Sequence, residues 1–183
     1  IELPEAVVIS NQIQSTLSGK RIAEGSQGNW PHKFAFYSGP PERYAQVLKG
    51  RIITGAYPNG RMIRVTLDGD YFLVLGEGGE KILYHASPAR LPGKYQLLLK
   101  FTDDTCLTVS VQGWGAAMLV PSDEIEKHPF VATKSHSPLE EDFTVAYFLG
   151  LFDGLKEDGK LTAKPFLISK PGITGLGNGY LQD

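Results

Sequence analysis

The chain has 183 residues, 42% of them hydrophobic and 21% charged, which supports a packed core and excludes wholesale disorder. Eighteen Lys and Arg against twenty Asp and Glu give a formal charge of −2, which excludes a uniformly basic nucleic-acid-binding domain but leaves room for a local basic face. A single cysteine, Cys106, excludes an internal disulfide and a cysteine-based zinc site within these residues, and no apolar run reaches the roughly 20 residues that span a bilayer.

Ala6, Ile9, Ile13 and Leu17 recur at helical spacing, with Pro4 tolerated in a first turn and Gly19 where the helix should stop. The acidic start, Glu2 and Glu5, does not suit a signal peptide, so a soluble cytoplasmic chain is expected. A second short helix is predicted over 41–48, with Tyr44, Val47 and Leu48 on one side.

From residue 51 to 120 the pattern changes to short apolar runs, at 52–53, 61–67, 71–75, 81–84, 95–101, 106–111 and 114–119. Turn residues separate them: Pro58-Asn59-Gly60, Asp68-Gly69-Asp70, the glycines of 76–79, and Asp103-Asp104. Asp68-Gly69 is the strongest hairpin signal. Many short strands at this spacing predict an antiparallel sandwich or barrel.

After Pro121 a polar stretch with Glu124, Glu126, Lys127, His128 and Lys134 reads as a linker. Val145, Phe148, Leu149 and Phe152 then form a helical stripe, starting near Asp142 and ending near Gly154. Thr162 is a candidate N-cap for a further helix that includes Phe166 and Leu167. The tail, 170–183, reads as a tight turn rather than a helix.

Three ordered segments carry a family resemblance. Ile1-Glu2-Leu3-Pro4-Glu5 resembles the Pro-Glu-Leu-Pro-Glu start of the formamidopyrimidine-DNA glycosylase/endonuclease VIII family. Ser137-Pro138-Leu139-Glu140-Glu141-Asp142-Phe143 resembles the entry into that family's helical domain. Thr162-Ala163-Lys164-Pro165-Phe166-Leu167, followed by Gly175-Leu176-Gly177-Asn178-Gly179-Tyr180, is similar to its helix–two-turns–helix DNA-binding motif. The resemblance implies an α+β fold: an N-terminal helix plus a two-layered antiparallel β-sandwich over 1–121, a hinge over 122–135, and a helical domain over 136–183. It implies double-stranded DNA with damaged bases or abasic sites as partner, a monomer, and a nucleoid-associated location. It also implies no cofactor within these residues, and a C-terminal finger, zinc or zincless, beyond Asp183, where the chain stops inside what should be the motif's last helix.

In the family, an N-terminal proline amine attacks C1′ of the damaged nucleotide, the base leaves, and the strand is cut by elimination. Here that position is Ile1, whose free α-amine retains the chemistry of Schiff-base formation. Glu2 matches the family's catalytic carboxylate, and Glu5 is a framework residue that could orient the amine. The hairpin lysine aligns with Arg61, which keeps a cation near phosphates but cannot transfer a proton. Gln112 and Trp114 lie where the family fills the gap left by an everted nucleotide, Trp114 to stack and Gln112 to read the orphaned base. Lys164, Asn178 and the close-approach glycine Gly177 fall on the family's phosphate-binding positions, with a helix N-terminus offering its N–H groups to an anion. His32-Lys33-Phe34 is a weaker backbone-contact candidate. Three functions remain open: an altered glycosylase, a non-catalytic module that holds damaged DNA, and a small-molecule- or protein-binding domain on the same fold.

Overall fold

The computed structural model describes residues 1–133, 135–153, 155, 162–169 and 172–182. Lys134 of the polar stretch, Gly154 as a helix end, and Lys170, Pro171 and Asp183 of the tail lie outside the described residues. Helix α1 (Leu3–Leu17) buries Leu3, Ala6, Ser10, Ile13 and Leu17, the stripe that three- and four-residue spacing requires. It ends at Ser18, before Gly19 with its positive φ. Helix α2 (Pro41–Leu48) forms where predicted and buries Tyr44 and Leu48.

Two sheets pack across one core. The first has the order β1–β7–β8–β6, built from β1 (Ile22–Gln27), β6 (Gly79–His85), β7 (Leu97–Phe101) and β8 (Cys106–Gln112). The second, β2–β9–β5–β4–β3, contains β2 (Ala35–Phe36), β3 (Ile53–Asn59), β4 (Met62–Leu67), β5 (Tyr71–Gly76) and β9 (Gly115–Pro121). All pairings are antiparallel except the short β2–β9 pair. Ile22, Leu97, Leu99 and Val109 of the first sheet meet Ile63, Val65, Leu73, Leu75 and Leu119 of the second, joined by Ile13 and Leu17 of α1 and Tyr44 and Leu48 of α2. Burial of this apolar surface is the main stabilising term.

The Asp68-Gly69-Asp70 turn joins β4 to β5 as expected, with Leu67 opposite Tyr71. Pro58-Asn59, read as turn residues, belong to β3, an edge strand that tolerates proline. Strands β1 and β2 were not expected. The polar sequence Ile22-Ala23-Glu24-Gly25-Ser26-Gln27 gives little alternation, and a register shift between Ile22 and Glu24 interrupts its pairing with β7.

The stretch read as a linker lies against the outer face of the second sheet. Ile125 and Val131 are buried with Met62, Val74, Met118 and Val120. Arg64 of β4, 4% exposed, donates to Glu126 Oε1 at 2.5 Å, to Val131 O at 2.7 Å and to Thr133 Oγ1 at 3.3 Å. Among the described residues of the helical half are α3 (Val145–Asp153), α4 (Ala163–Ile168, with Thr162 at its N-cap) and α5 (Asn178–Gln182). The last corrects the reading of the tail as a turn alone. Phe148 and Phe152 of α3 pack their rings on Phe166 of α4, the second pair stacked at 4.3 Å between centroids. Among the described residues no helix is long and apolar enough to cross a membrane.

Candidate active site

The chain crosses between the sheets twice at one end, at Glu77-Gly78 between β5 and β6 and at Gly113-Trp114 between β8 and β9. The crossings are stitched together. Gly79 N–H donates to Trp114 O at 3.0 Å, and Trp114 Nε1 donates to Glu77 O at 3.1 Å. A side chain at position 78 would collide with Trp114, since a Cβ there would sit 2.1 Å from its carbonyl oxygen.

The start of the chain docks on this junction. The Ile1 ammonium donates to Gly78 O at 2.5 Å, while the Ile1 side chain packs against the core. Beneath the crossing lies Glu80, whose Oε1 accepts from Ala116 N–H at 2.8 Å and Oε2 from Gly78 N–H at 3.2 Å. Burial raises the Glu80 pKa, against the lowering influence of these two N–H groups and of the terminal ammonium. Sequence reasoning missed Glu80; an acid following three glycine-rich turn residues carries no pattern that separates it from a solvated hairpin charge.

Glu2 sits on the other side. Its carboxylate accepts from Gly177 N–H at 2.8 Å and Gly179 N–H at 2.7 Å, with Tyr180 N–H at 3.4 Å. It therefore occupies the N-terminus of α5, where a negative charge meets unsatisfied N–H groups and the positive end of the helix dipole. Leu3 N–H donates to Gly175 O at 2.9 Å. Two glycines permit this approach. Gly175 has a φ of 85° and would place a Cβ 2.5 Å from Leu3 Cβ; a Cβ at Gly177 would lie 2.6 Å from Glu2 Cδ.

Glu5 completes the set: it accepts from Glu2 N–H at 2.8 Å and from the Tyr180 hydroxyl at 2.9 Å. Burial alone would raise its pKa, but these hydrogen bonds, with help from the terminal ammonium, lower it on balance.

Ile1 and Glu2 are thus adjacent and both anchored. Two expectations need correction. The Gly177 N–H is not offered to an external anion, because Glu2 already takes it and the residue is buried. Arg61, expected as a cation near phosphates, is engaged within the protein. Its guanidinium forms an ion pair with Glu77 on the crossing, and its carbonyl accepts from Glu77 N–H at 2.9 Å.

Gln112 pairs with Gly79 at the end of β8 and is exposed, and Trp114 is 54% exposed on the same turn. Lys164 is exposed on α4, and Asn178 is exposed at the first position of α5, between the two amides that hold Glu2. A cavity of about 250 Å³ lies between the hairpin tip and residues 168–169 and 172–176, lined by Arg61, Met62, Glu77, Phe130, Thr174 and Leu176 among others.

Among the described residues one group, His136, Glu140 and Asp142, brings potential metal donors within 4.8 Å of one another. All three are exposed and already engaged: Asp142 pairs with His136, and Glu140 accepts from Ser137 N–H.

No protein-family model matches the chain. It is 25% identical over 194 residues to the formamidopyrimidine-DNA glycosylase of Caulobacter sp. strain K31, covering 98% of this chain and 65% of that protein. The enzyme of the same name from Enterococcus faecalis is 27% identical over 184 residues, covering 100% of this chain and 63% of its own length. The crystal structure of the Lactococcus lactis enzyme, bound non-covalently to DNA containing an abasic site, superposes with a TM-score of 0.80 at 22% identity over 99% of this chain. Over its whole length the chain is similar to the formamidopyrimidine-DNA glycosylase family. It shares that family's fold and spans just under two thirds of the curated relatives it matches. A structure of the relative MutM, in complex with DNA containing carbocyclic 8-oxo-G, matches at the same TM-score of 0.80.

Proposed function

We propose that this chain recognises damaged or abasic nucleotides in double-stranded DNA and takes part in excising the base. The observation that carries this reading is the clamp at the start of the chain. The Ile1 amine is anchored on the sheet crossing and the carboxylate of the next residue, Glu2, on the N-terminus of α5. The family relationship supplies the reaction class. The relatives named above are glycosylases, and the solved neighbours hold DNA with an abasic site or an oxidised-guanine analogue.

In this reading the Ile1 amine, where Ile1 is the first residue of the mature protein, bonds to C1′ of the damaged nucleotide. The C1′–N bond breaks and the base departs with a proton. Ring opening then gives a Schiff base, from which β-elimination cuts the strand and hydrolysis returns the amine. Glu2, held in place by backbone N–H groups, stabilises the positive charge that develops at C1′ and relays protons to the sugar. Trp114 stacks in the gap left by the everted nucleotide and Gln112 faces the orphaned base. Lys164 and Asn178 hold flanking phosphates.

Borohydride treatment of the protein on abasic-site DNA tests the amine route. A covalent adduct mapped to residue 1 by mass spectrometry is expected; absence of an adduct, with no release of a damaged base, overturns the enzyme reading.

One observation favours a second reading, a lesion-binding module without catalysis. The position of the family's hairpin lysine holds Arg61, neutralised by Glu77 and unable to exchange a proton. Binding to an abasic duplex that weakens steeply with salt, without excision, would select it.

A further inference from the structure

A second surface lies at the same end of the sheets. Residues 28–30 and 93–96 are zipped together. Gly28 N–H donates to Gln96 O at 2.8 Å and Trp30 N–H to Tyr95 O at 3.4 Å. Asn29 donates through Nδ2 to Gly93 O and accepts at Oδ1 from Tyr95 N–H, both at 3.1 Å. The buried Gln96 side chain closes the arrangement, donating to Trp30 O at 2.8 Å and accepting from Val111 N–H at 2.7 Å. The Trp30 indole is nonetheless 49% exposed. An apolar ring is held out to solvent on a backbone fixed from both sides.

Lys94 Nζ sits 3.8 Å from the centroid of that ring. The motif repeats nearby: Lys33 Nζ lies 5.4 Å from the centroid of Phe34, which is also 49% exposed, with His32 edge-on at 6.4 Å. Phe34 O accepts from Gly115 N–H at 3.0 Å, which puts Phe34 beside the Trp114 turn. Ser110 Oγ donates to Lys94 O at 3.0 Å, which brings the Lys94 loop to the Gln112 end of β8. Among the described residues neither Lys33 nor Lys94 pairs with a carboxylate.

A cation alone suits any anion, and an exposed ring alone suits any apolar partner. Two ring-and-cation pairs along one edge suit a chain that alternates flat aromatic groups with negative charges. That description fits unpaired nucleotides, whose bases stack on rings while their phosphates meet lysines. A protein partner would bury the rings in an apolar interface and gain nothing from ammonium groups on their faces. We propose that the Trp30–Lys94 and Lys33–Phe34 pairs form a stacking surface for unpaired nucleotides of single-stranded DNA, beside the turn that carries Trp114. It stands apart from base excision and needs neither a free terminal amine nor Glu2.

The test uses the whole chain with Trp114→Phe, which leaves Trp30 as the one remaining tryptophan. Titration with a short oligothymidylate should quench Trp30 emission saturably, and the affinity should fall as salt rises. In a competition assay on the otherwise unaltered protein, Trp30→Ala and Lys94→Ala should each weaken binding about fivefold or more, with Trp30→Phe recovering most of the loss. A base-free chain of tetrahydrofuran phosphates should bind more weakly than oligothymidylate. Absence of quenching, equal binding of the base-free chain or of polyglutamate, or unchanged affinity in both alanine variants with unaltered circular dichroism would overturn the proposal. Abasic-duplex binding, measured in parallel with Lys164→Ala, separates the two readings. Duplex loss with oligothymidylate binding intact leaves this surface standing; the converse removes it alone.

Discussion

Glu2 accepts hydrogen bonds from Gly177 and Gly179, residues 175 and 177 positions away, so the start of the chain caps a helix near its other end. The carboxylate serves α5 as an Asp or Ser N-cap serves its own helix, but from another element. Glu2→Gln would set an amide N–H₂ against one of these N–H groups. The expected loss is about 1–3 kcal/mol, the usual result of leaving a partly buried donor unpaired, read by denaturant unfolding. If base excision falls far more than this destabilisation explains, Glu2 has a chemical role as well; if stability is unchanged, the cap is not holding α5.

Gly177→Ala attacks the same contact from the helix side. The added Cβ would lie 2.6 Å from Glu2 Cδ, so carboxylate or turn must move. A destabilisation of about 1–3 kcal/mol is expected, typical of forcing an extra methyl into a filled site. In the Glu2→Ala background the effect should shrink, and a double-mutant cycle that finds simple additivity would refute the coupling.

Arg64 ties the 125–133 stretch to β4. Replacing it by Ala removes three hydrogen bonds and leaves Val131 O without that donor. Because Glu126 is largely solvated, the loss should fall below that of a fully buried pair, about 2 kcal/mol by thermal or denaturant melting. Faster proteolysis within 125–133 should accompany it.

The acid limb of stability follows from the carboxylates. The Arg64 hydrogen bond lowers the Glu126 pKa from its ordinary 4.5, hydrogen bonds lower Glu5 from the same value, and Lys20 holds Asp103 at about 2. A depressed folded-state pKa contributes stability above the unfolded value and loses it as pH falls through the folded one. The melting temperature should therefore decline from about pH 4.5 downward, and Glu126→Gln should flatten that decline. Glu80 has the opposite sign. Its raised pKa favours the folded state at low pH and loses that advantage as pH rises above the ordinary 4.5 through the folded value. An unchanged acid slope in Glu126→Gln would contradict the assignment.

Lys164→Ala should leave the melting temperature unchanged, since the side chain is exposed on α4. It should weaken abasic-duplex binding across sequences and reduce the slope of log affinity against log salt by about 1. An unaltered slope would exclude a phosphate contact there.

Helix α1 was legible because its burial is periodic, and β4, β5 and β9 because burial on both faces makes them nearly continuous apolar runs. Strands β1 and β2 were not: β1 is polar and broken by a register shift between Ile22 and Glu24, and β2 is only two residues long. The polar stretch after Pro121 hid its two anchors, Ile125 and Val131, among charges that face water. Glu2 and Gly177 each stood out in the sequence, Glu2 as an acid and Gly177 as a close-approach glycine. Their direct bond did not, since no local spacing rule relates positions so far apart. The pairing of Arg61 with Glu77 was likewise not legible, because its acid lies on another turn.

The clamp between Glu2 and α5 also orders events during synthesis. Helix α1 emerges from the ribosome before the two sheets, yet the amides that meet Glu2 belong to Gly177 and Gly179. At ordinary elongation rates roughly 10–35 s separate the two ends of this contact. Until then the β-rich half can assemble its core, but the carboxylate and the adjoining amine stand open to water. This contact is therefore completed late and all at once, after the strands of both sheets have been made.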